Sequence, residues 1–525
     1  MTALPIVGRE LRVAARRRMS FWGRLIAAAV FVLMAMLALA AAAASGSPPS
    51  GKMLFESLAT LGFFICAAAG PLLAADILAG ERRQGTLGLL FLTDLRPMDV
   101  VLGKLAAVSI NAAAAVLASL PVMAVCLLMG GVTLDQLGAL ALVLFNTLFF
   151  SLVCAVLVSA FCTESRSALS LSACVVAFFI LVVPNLRAVY PGGVLEALGF
   201  GLGFISPATA LHLLRSVGGS APVLLAPGFL LLIAWVQLAG WLALGATAWV
   251  IKRAWREQLA LSVPLQLWQR LMGWVYGGAD GRKRLRQGLL ERNPWTWLGS
   301  RNVLKRRILW GVVIPILPLW IVAGWFQRNG WDPALTLSMA YIVQLLLKVL
   351  IASEACHLFG ENRRSGAFEL LLTTPLDAGE ITRGHLATMR RLFLPPALVT
   401  AVTAVASVAG KLQPDELLVL LAVTAMMLWD MHTLAWVGMW RGLRQRRPHL
   451  ASVSALTRVL FWPGFLLVFL GGMAAAAGPL GPLVMAVVVY ASSNLLQASA
   501  AADLLATQMR RIVAEQFQSD RAEGG

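Results

Sequence analysis

Long apolar runs alternate with short charged segments along most of the chain. A run of about 20 apolar residues can cross a hydrocarbon core of roughly 30 Å as an α-helix. Strands of a membrane β-barrel would alternate apolar and polar residues over about ten positions, and these runs do not. The pattern therefore predicts an all-α polytopic membrane protein with about twelve transmembrane helices. The predicted spans are 25–44, 54–78, 106–128, 138–161, 168–186, 228–251, 309–326, 334–357, 392–409, 416–439, 455–473 and 480–505.

Basic residues are unevenly distributed between the two sides of these spans. The chain has 43 Lys and Arg residues and a net charge of +18, and most of them fall in inside segments when the N-terminus is cytoplasmic. By the positive-inside rule this bias predicts that both termini are cytoplasmic. The basic charge then reflects topology and attraction to anionic lipid. We expect membrane lipids and no nucleic acid as partners, and a location in the plasma (bacterial inner) membrane.

The beginning of the chain also has features of a signal peptide. A basic segment at 9–18 precedes an apolar run that ends in an A-x-A pattern. The h-region of a signal peptide is about 7–15 residues long, and the run found here is longer. This favours an uncleaved first span.

Two patterns that could carry chemistry have simpler explanations. The six cysteines lie in or at the ends of predicted spans without CxxC spacing, so we interpret them as packing residues and expect no disulfide and no metal.

Residues 46–53, "GSPPSGKM", have the spacing of a phosphate-binding loop. However, Met53 stands where that loop needs Ser or Thr for magnesium, and the segment lies in a predicted outside loop. We therefore expect no enzymatic activity and no cofactor in this chain.

A charged segment at 80–105 follows the second predicted span and has a looser copy at 360–386. Aligning Gly85 with Gly366 brings several leucines into register, and each copy lies at the same place in a six-span unit. Each unit also opens with a basic lead that we predict to lie as a helix on the membrane surface. We therefore predict two parallel six-helix repeats. The predicted boundaries are 1–257 for the first transmembrane domain, 258–291 for a cytoplasmic basic linker and 292–525 for the second transmembrane domain.

Local spacing predicts a short helix within the first copy. Leu87, Leu90 and Phe91 would share one face of it, and Phe368 and Leu371 would do so in the second copy. Such a helix would lie across the cytoplasmic surface with an apolar face that needs burial. A re-entry loop held by lipid and a docking site for a protein both satisfy this requirement, and the duplication favours docking.

The segment "ERRQGTLGLLFLTDLRPMDVVLGKL" resembles the one that follows the second span in ATP-binding-cassette (ABC) transporter permeases of the type-2 exporter class. The resemblance implies a coupling helix that contacts a cytoplasmic ATPase and transmits its closure to the spans. It implies two copies of a separate ATPase subunit, which would hold ATP and Mg. The candidate ATPase-coupling residues are Glu81, Arg82, Arg83, Gly85, Thr86, Leu87 and Leu90 in the first copy and Glu361, Arg363, Arg364, Gly366, Phe368, Glu369 and Leu370 in the second.

The two copies depart from that family pattern at different positions. Gly88 stands where the pattern has Glu, and His385 stands where it has Lys. Each copy keeps residues that the other has lost, which would give the two halves unequal contacts with the ATPase.

The ionisable residues within predicted spans that point to a function are Lys348, Glu354, Asp430 and His432. Charges at membrane depth cost roughly 2.5–3.5 kcal/mol on insertion scales and deserve a functional hypothesis. An ion pair between Lys348 and Asp430 would satisfy both charges, whereas Asp430 and His432 point in different directions and make a shared metal site unfavourable. The alternatives are structural pairing and lining of a substrate path.

These residues also support a second class of function. In an ion- or proton-coupled secondary transporter with twelve helices, Asp430, Lys348 or Glu354 would carry the protons. A membrane scaffold without transport is a third alternative. The outer segment 187–227, apolar but rich in Gly and Pro, is interpreted as short re-entrant helices, a buried connector or an extra pair of spans.

Overall fold

The protein is helical throughout the part of the chain that its structure, a computed structural model, describes. The described residues are 8, 24–25, 27–36, 39, 50–85, 96–162, 165–184, 201, 203–216, 223–224, 226–259, 279–300, 306, 309–310, 333–408, 414–445, 448–461 and 481–523. No strand occurs among them. The chain divides into two compact units, Met1–Leu261 and Ser262–Gly525. The boundaries predicted around the linker at 258–291 stay predictions.

The first unit includes helices α1 to α8. They are α1 (Ala27–Met36), α2 (Gly51–Ala74), α3 (Ile77–Gln84), α4 (Pro97–Leu128), α5 (Leu134–Phe161), α6 (Ser165–Ala177), α7 (Pro207–Ser216) and α8 (Pro227–Leu259). The core lies between α2 and α5, where Leu58, Leu140 and Leu144 are fully buried.

The second unit includes helices α9 to α16. They are α9 (Ala279–Leu290), α10 (Pro294–Ser300), α11 (Pro333–Arg364), α12 (Ala367–Leu372), α13 (Ala378–Val408), α14 (Pro414–Arg444), α15 (Pro448–Leu456) and α16 (Gly481–Glu523). Here α11 packs along α14 in the centre, with Ala355, Cys356 and Leu434 fully buried.

Seven described helices are long and apolar enough to cross a membrane. They are Gly51–Arg82, Pro97–Leu128, Leu134–Phe161, Gly228–Arg253, Val343–Arg364, Ala378–Ala406 and Leu420–Arg444. This confirms a polytopic all-α membrane protein. Shorter apolar helices occupy the first, fifth and eleventh predicted spans, and α16 covers the twelfth. Most of the seventh lies outside the described residues, so the total of twelve stays a prediction.

The second span is interrupted where α2 passes into α3, and a serine from α5 satisfies the backbone there. Helical hydrogen bonding is interrupted at Ala75 and Asp76. The buried Ser159 hydroxyl accepts hydrogen bonds from the backbone N–H groups of Leu78 (3.1 Å) and Ala79 (2.9 Å). Buried backbone donors must be paired, so α5 fixes the direction in which α3 leaves the membrane.

Helices α2 and α5 approach so closely that only glycine fits at position 70. A Cβ on Gly70 would lie 2.0 Å from the Ser151 carbonyl oxygen, and one turn away the Ser151 hydroxyl donates to the Cys66 carbonyl at 2.7 Å. Small residues let helix backbones come together in a membrane, where packing and hydrogen bonds provide the association energy.

Replacing Gly70 by Ala is expected to lower the free energy of unfolding by about 1–3 kcal/mol, because the added methyl group forces α2 away from α5. The matched control is Gly245→Ala in α8, where an added Cβ would meet nothing within 4 Å. That variant should be neutral or more stable by up to about 1 kcal/mol, from helix propensity. Thermal unfolding of the full chain in detergent compares the two variants. Equal shifts would contradict the close packing.

Both units contain a π-helical turn after a helix in the region of the fifth span of each predicted repeat. Residues Phe178–Val182 follow α6, and Thr457–Phe461 follow α15. A π-helical turn is rare and widens the helix locally. The two units therefore share a feature that helix propensity alone does not dictate.

The outer segment 187–227 includes a short helix, α7, in its described part. Helix α7 has ten residues and is about 15 Å long at 1.5 Å per residue, half the thickness of a hydrocarbon core. It buries Leu211 and Leu214 in the core of the first unit. The Asp135 carboxylate accepts hydrogen bonds from the backbone N–H groups of Val223 and Leu224. The described residues fit a short buried or re-entrant helix, not an additional span.

Candidate coupling segments and intramembrane charge cluster

The first candidate coupling segment leaves the membrane through α3 and returns through α4. Helix α3 ends at Gly85, whose φ of 71° is left-handed, a conformation that glycine adopts without steric cost. Helix α4 begins at Pro97, with Asp99 in its first turn accepting from the Arg96 backbone N–H at 3.3 Å. Gly85 therefore terminates α3, and Asp99 stabilises the start of α4. Thr86, Leu87 and Leu90 lie outside the described residues.

Two of the candidate coupling residues hold helices of the first unit together. The Glu81 carboxylate pairs with the Lys104 ammonium on α4 at 2.6 Å. The Arg82 guanidinium donates to the Ala160 carbonyl, near the end of α5, at 2.7 Å. A cation at a helix C-terminus compensates carbonyls that have no partner inside the helix. These two side chains therefore hold α3, the base of the segment, against α4 and α5. The side chain of Arg83 is not among those described.

The second candidate segment has the same beginning. Gly366, with a φ of 69°, follows the end of α11, as Gly85 follows α3. The Arg363 guanidinium donates to the Leu443 carbonyl at the end of α14. The Glu361 carboxylate, 60% exposed, lies 3.1 Å from Nδ1 of His357. Arg364 is exposed at the end of α11.

The predicted helix in the second segment is α12, and it is anchored by Phe368. This side chain is fully buried, with ring centroids 5.5 Å from Trp295 and 5.3 Å from Phe359. The His385 ring meets Phe359 edge to face at 5.1 Å. Phe368 was predicted as a coupling contact, and in this conformation it is inaccessible to another protein. The buried face of α12 is satisfied by its own chain.

Helix α12 also has an exposed face, which carries Leu370. Leu370 is 73% exposed, whereas the side chain of Glu369 is not among those described. A large apolar side chain at this exposure can contact lipid or a partner protein. Leu370 is therefore the candidate coupling residue in α12 that is available for contact.

The described part of the basic lead of the second unit packs against protein, and its predicted position on the membrane surface stays a prediction. Trp295 of α10 is buried in the aromatic cluster, and the Thr296 hydroxyl donates to the Gly384 carbonyl at 3.1 Å. The Asn293 amide donates to the Glu380 carbonyl at 3.0 Å. The described part of the lead packs against the first turns of α13. Protein therefore covers the apolar side chain of Trp295 in this lead.

Deep in the second unit, the ion pair predicted between Lys348 and Asp430 is present. The Lys348 ammonium on α11 lies 2.6 Å from the Asp430 carboxylate on α14. Two groups on α16 complete the cluster: the Tyr490 hydroxyl donates at 2.8 Å and the Asn494 amide donates at 2.7 Å to Asp430. Both charged side chains are buried. A buried ion pair is tolerated when further hydrogen bonds satisfy its members, as they do here.

Tyr490 and Asn494 were missed from the sequence, although a signal was present. They are four residues apart, which places them on one face of a helix, within the last predicted span. Their partner could not be named because nothing local to the last helix indicates which charge it meets.

The comparison with protein families bears on the first unit. Residues 4–253 match the family described as ABC-2 family transporter protein. The first half of the chain belongs to the ABC-2 transporter family. A search of curated proteins found no match to the chain. The family is a component of membrane transport that generally lacks an ATPase site of its own and normally works with a cytoplasmic ATPase.

The matched residues include the first candidate segment, and the charge cluster lies outside them. Glu81, Arg82 and Gly85 fall within residues 4–253. Lys348 and Asp430 belong to the second unit. Family membership therefore bears on the segment at the base of the second span and leaves the role of the charge cluster open.

The remaining intramembrane polar residues of the second unit are separate from the cluster. Glu354 is buried, at 6% exposure, one to two turns along α11 from Lys348. His432 is exposed, and its Nε2 accepts a hydrogen bond from the Trp436 indole at 3.2 Å. Among the residues that the structure describes, no group of His, Cys, Asp or Glu could hold a metal ion. All six cysteines are free thiols.

Proposed function

We propose that this protein is the membrane-spanning permease of an ATP-driven ABC exporter, with two transmembrane domains fused in one chain. The domains would be 1–257 and 292–525, joined by the cytoplasmic linker 258–291. Two copies of a separate ABC ATPase would bind ATP and Mg and perform the hydrolysis. The observation that carries the proposal is the ABC-2 family membership of residues 4–253.

Resemblance between the two units supports the fusion. Gly85 and Gly366 share a left-handed conformation at the same place in the predicted repeat. Arg82 and Arg363 each donate to a carbonyl at the end of a neighbouring long helix. A second transmembrane domain would supply the second coupling segment that a pair of ATPases needs.

The proposed mechanism uses the rigid base of each segment. Approach of the ATPases on binding ATP would push both segments, and the braced arginines would pass this displacement to α5 and α14. In the second unit, Phe368 would act as a positioning residue that ties α12 to the helices, while Leu370 would touch the ATPase. The chain would switch from an inward-facing to an outward-facing conformation with both termini in the cytoplasm, in the plasma (bacterial inner) membrane.

The charge cluster weighs against the alternative of a secondary transporter. A proton-carrying carboxylate must exchange protons with an aqueous path, whereas Asp430 is fully buried and accepts from Lys348, Tyr490 and Asn494. A carboxylate held in this way is suited to stabilising the contact between α11, α14 and α16. Transport that continues after ATP depletion but stops in Asp430→Asn would favour the secondary transporter.

The test is the association of the ATPase with a variant at α12. The tagged full chain, purified from cells in mild detergent, should retain an ABC ATPase that mass spectrometry identifies. Leu370→Asp should weaken this association about tenfold or more, because it places a charge in a desolvated contact.

Leu370→Met is the matched control and should retain the ATPase, since it preserves size and polarity. Gel filtration checks that both variants fold. Absence of any ABC ATPase with the unaltered chain would overturn the permease proposal, and unchanged association of Leu370→Asp would remove α12 from the contact.

A further inference from the structure

An open cavity of about 680 Å³ lies within the second unit, between α11, α13, α14 and α16. Its walls are apolar, with Phe393 from α13, Trp429 from α14 and Leu495 from α16. Trp429 is 44% exposed and Leu495 is 58% exposed. The cavity is therefore a groove that opens sideways between helices, not a closed chamber.

One rim of this groove carries positive charge. Arg390 is exposed on α13, and no carboxylate occurs among the described residues that line the groove. The other polar side chains of the lining are His432 and Ser499, and the His432 ring already accepts from Trp436. The electrostatics of the groove favour an anion at Arg390.

The position of Arg390 along α13 places this charge at the edge of the apolar region. Arg390 and Arg391 immediately precede the apolar run 392–408. Long basic side chains near the end of an apolar run reach towards the headgroup region. The groove thus has a cationic end at headgroup depth and an apolar end beside the hydrocarbon, which is the shape of an acidic lipid.

We propose that this groove is a binding site for one anionic phospholipid. The headgroup phosphate would be held by the Arg390 guanidinium, whose planar donors suit phosphate oxygens. An acyl chain would lie between Phe393, Trp429 and Leu495. The proposal concerns the second unit alone and does not depend on an ATPase.

Native mass spectrometry of the full chain in micelles that contain equal amounts of phosphatidylglycerol and phosphatidylcholine tests the site. The unaltered chain should retain one phosphatidylglycerol in preference to phosphatidylcholine. Arg390→Gln should weaken its retention about tenfold, the loss expected for one charge-assisted hydrogen bond. The matched control, Arg391→Gln, removes the same charge from an exposed neighbour that does not line the groove, and should change nothing.

A second variant separates the groove from general attraction to the positive surface. Ala425→Phe, at an exposed position in the lining, should displace the phosphatidylglycerol by filling the apolar end while all charges remain. Equal losses in the two arginine variants, or none in either, would overturn the proposal. If oleate binding depends on Arg390 but phosphatidylglycerol binding does not, the occupant is a single-chain amphiphile and the phospholipid assignment is wrong.

Discussion

Replacing Lys348 by Met is expected to destabilise the second unit by about 3–5 kcal/mol, because it leaves the Asp430 carboxylate buried without its counter-ion. Asp430 is fully buried, and the hydrogen bonds from Tyr490 and Asn494 cannot compensate a full charge. The loss should be visible as a lower apparent Tm of the full chain in detergent and as a smaller folded fraction in gel filtration.

The rescue variant is Lys348→Met combined with Asp430→Asn. Removing both charges should recover most of the lost stability, since a neutral pair avoids the desolvation cost of two ions. Asp503→Asn on the exposed side of α16 is the control for loss of a carboxylate and should shift stability by less than about 0.5 kcal/mol. A single variant at Lys348 as stable as the unaltered chain would contradict the pairing.

The double variant also assigns the role of the cluster. If it folds and transports, the pair is structural. If it folds and transport is lost while the ATPase still binds, the cluster lies on the path of the substrate. The two readouts are independent, because stability is measured without substrate or ATP.

The second large effect is expected at Phe368. Phe368→Ala should lower the free energy of unfolding by about 3–5 kcal/mol, the usual range for truncating a buried Phe, since the side chain fills the space between Trp295 and Phe359. Chemical unfolding of the full chain, followed by tryptophan fluorescence, measures this cost.

The control for Phe368→Ala is Leu370→Ala, two residues later in the same short helix. Leu370 is 73% exposed, so its truncation should change stability by less than about 0.5 kcal/mol. Under the proposed function, Leu370→Ala weakens ATPase association in a stable permease, whereas Phe368→Ala weakens both association and stability. A larger loss of stability in Leu370→Ala than in Phe368→Ala would mean that Phe368 does not anchor α12.

Much of the architecture could be predicted from the sequence, because hydropathy over a window of residues is a local property. The spans that became α5 and α14 were predicted within a few residues at both ends, and the end of α4 was predicted correctly. Helix α13 begins well before its predicted span, because its amphipathic first turns contact protein and continue the helix without an apolar run.

The sequence predicted the partners of some candidate site residues and missed the partners of others. The Lys348–Asp430 pair could be anticipated because membrane depth makes an unpaired charge costly. Arg82 and Arg363, in contrast, looked like exposed docking charges, and in the structure they donate to carbonyls of neighbouring helices. A basic residue beside an apolar run has the same sequence signature whether its partner is a lipid headgroup, an ATPase or a helix end.

By itself, the sequence determined the membrane class, the positions of most spans, the repeated charged segment and the need for a counter-ion at Lys348, since each follows from composition or spacing within a short window. Only the tertiary structure decided that Phe368 and Trp295 face the protein's own core, that Tyr490 and Asn494 complete the cluster, and that Arg390 borders an apolar groove. Those outcomes depend on which helices become neighbours. An apolar stripe specifies that it must be buried, but its partner is chosen by packing between segments that are far apart in the chain.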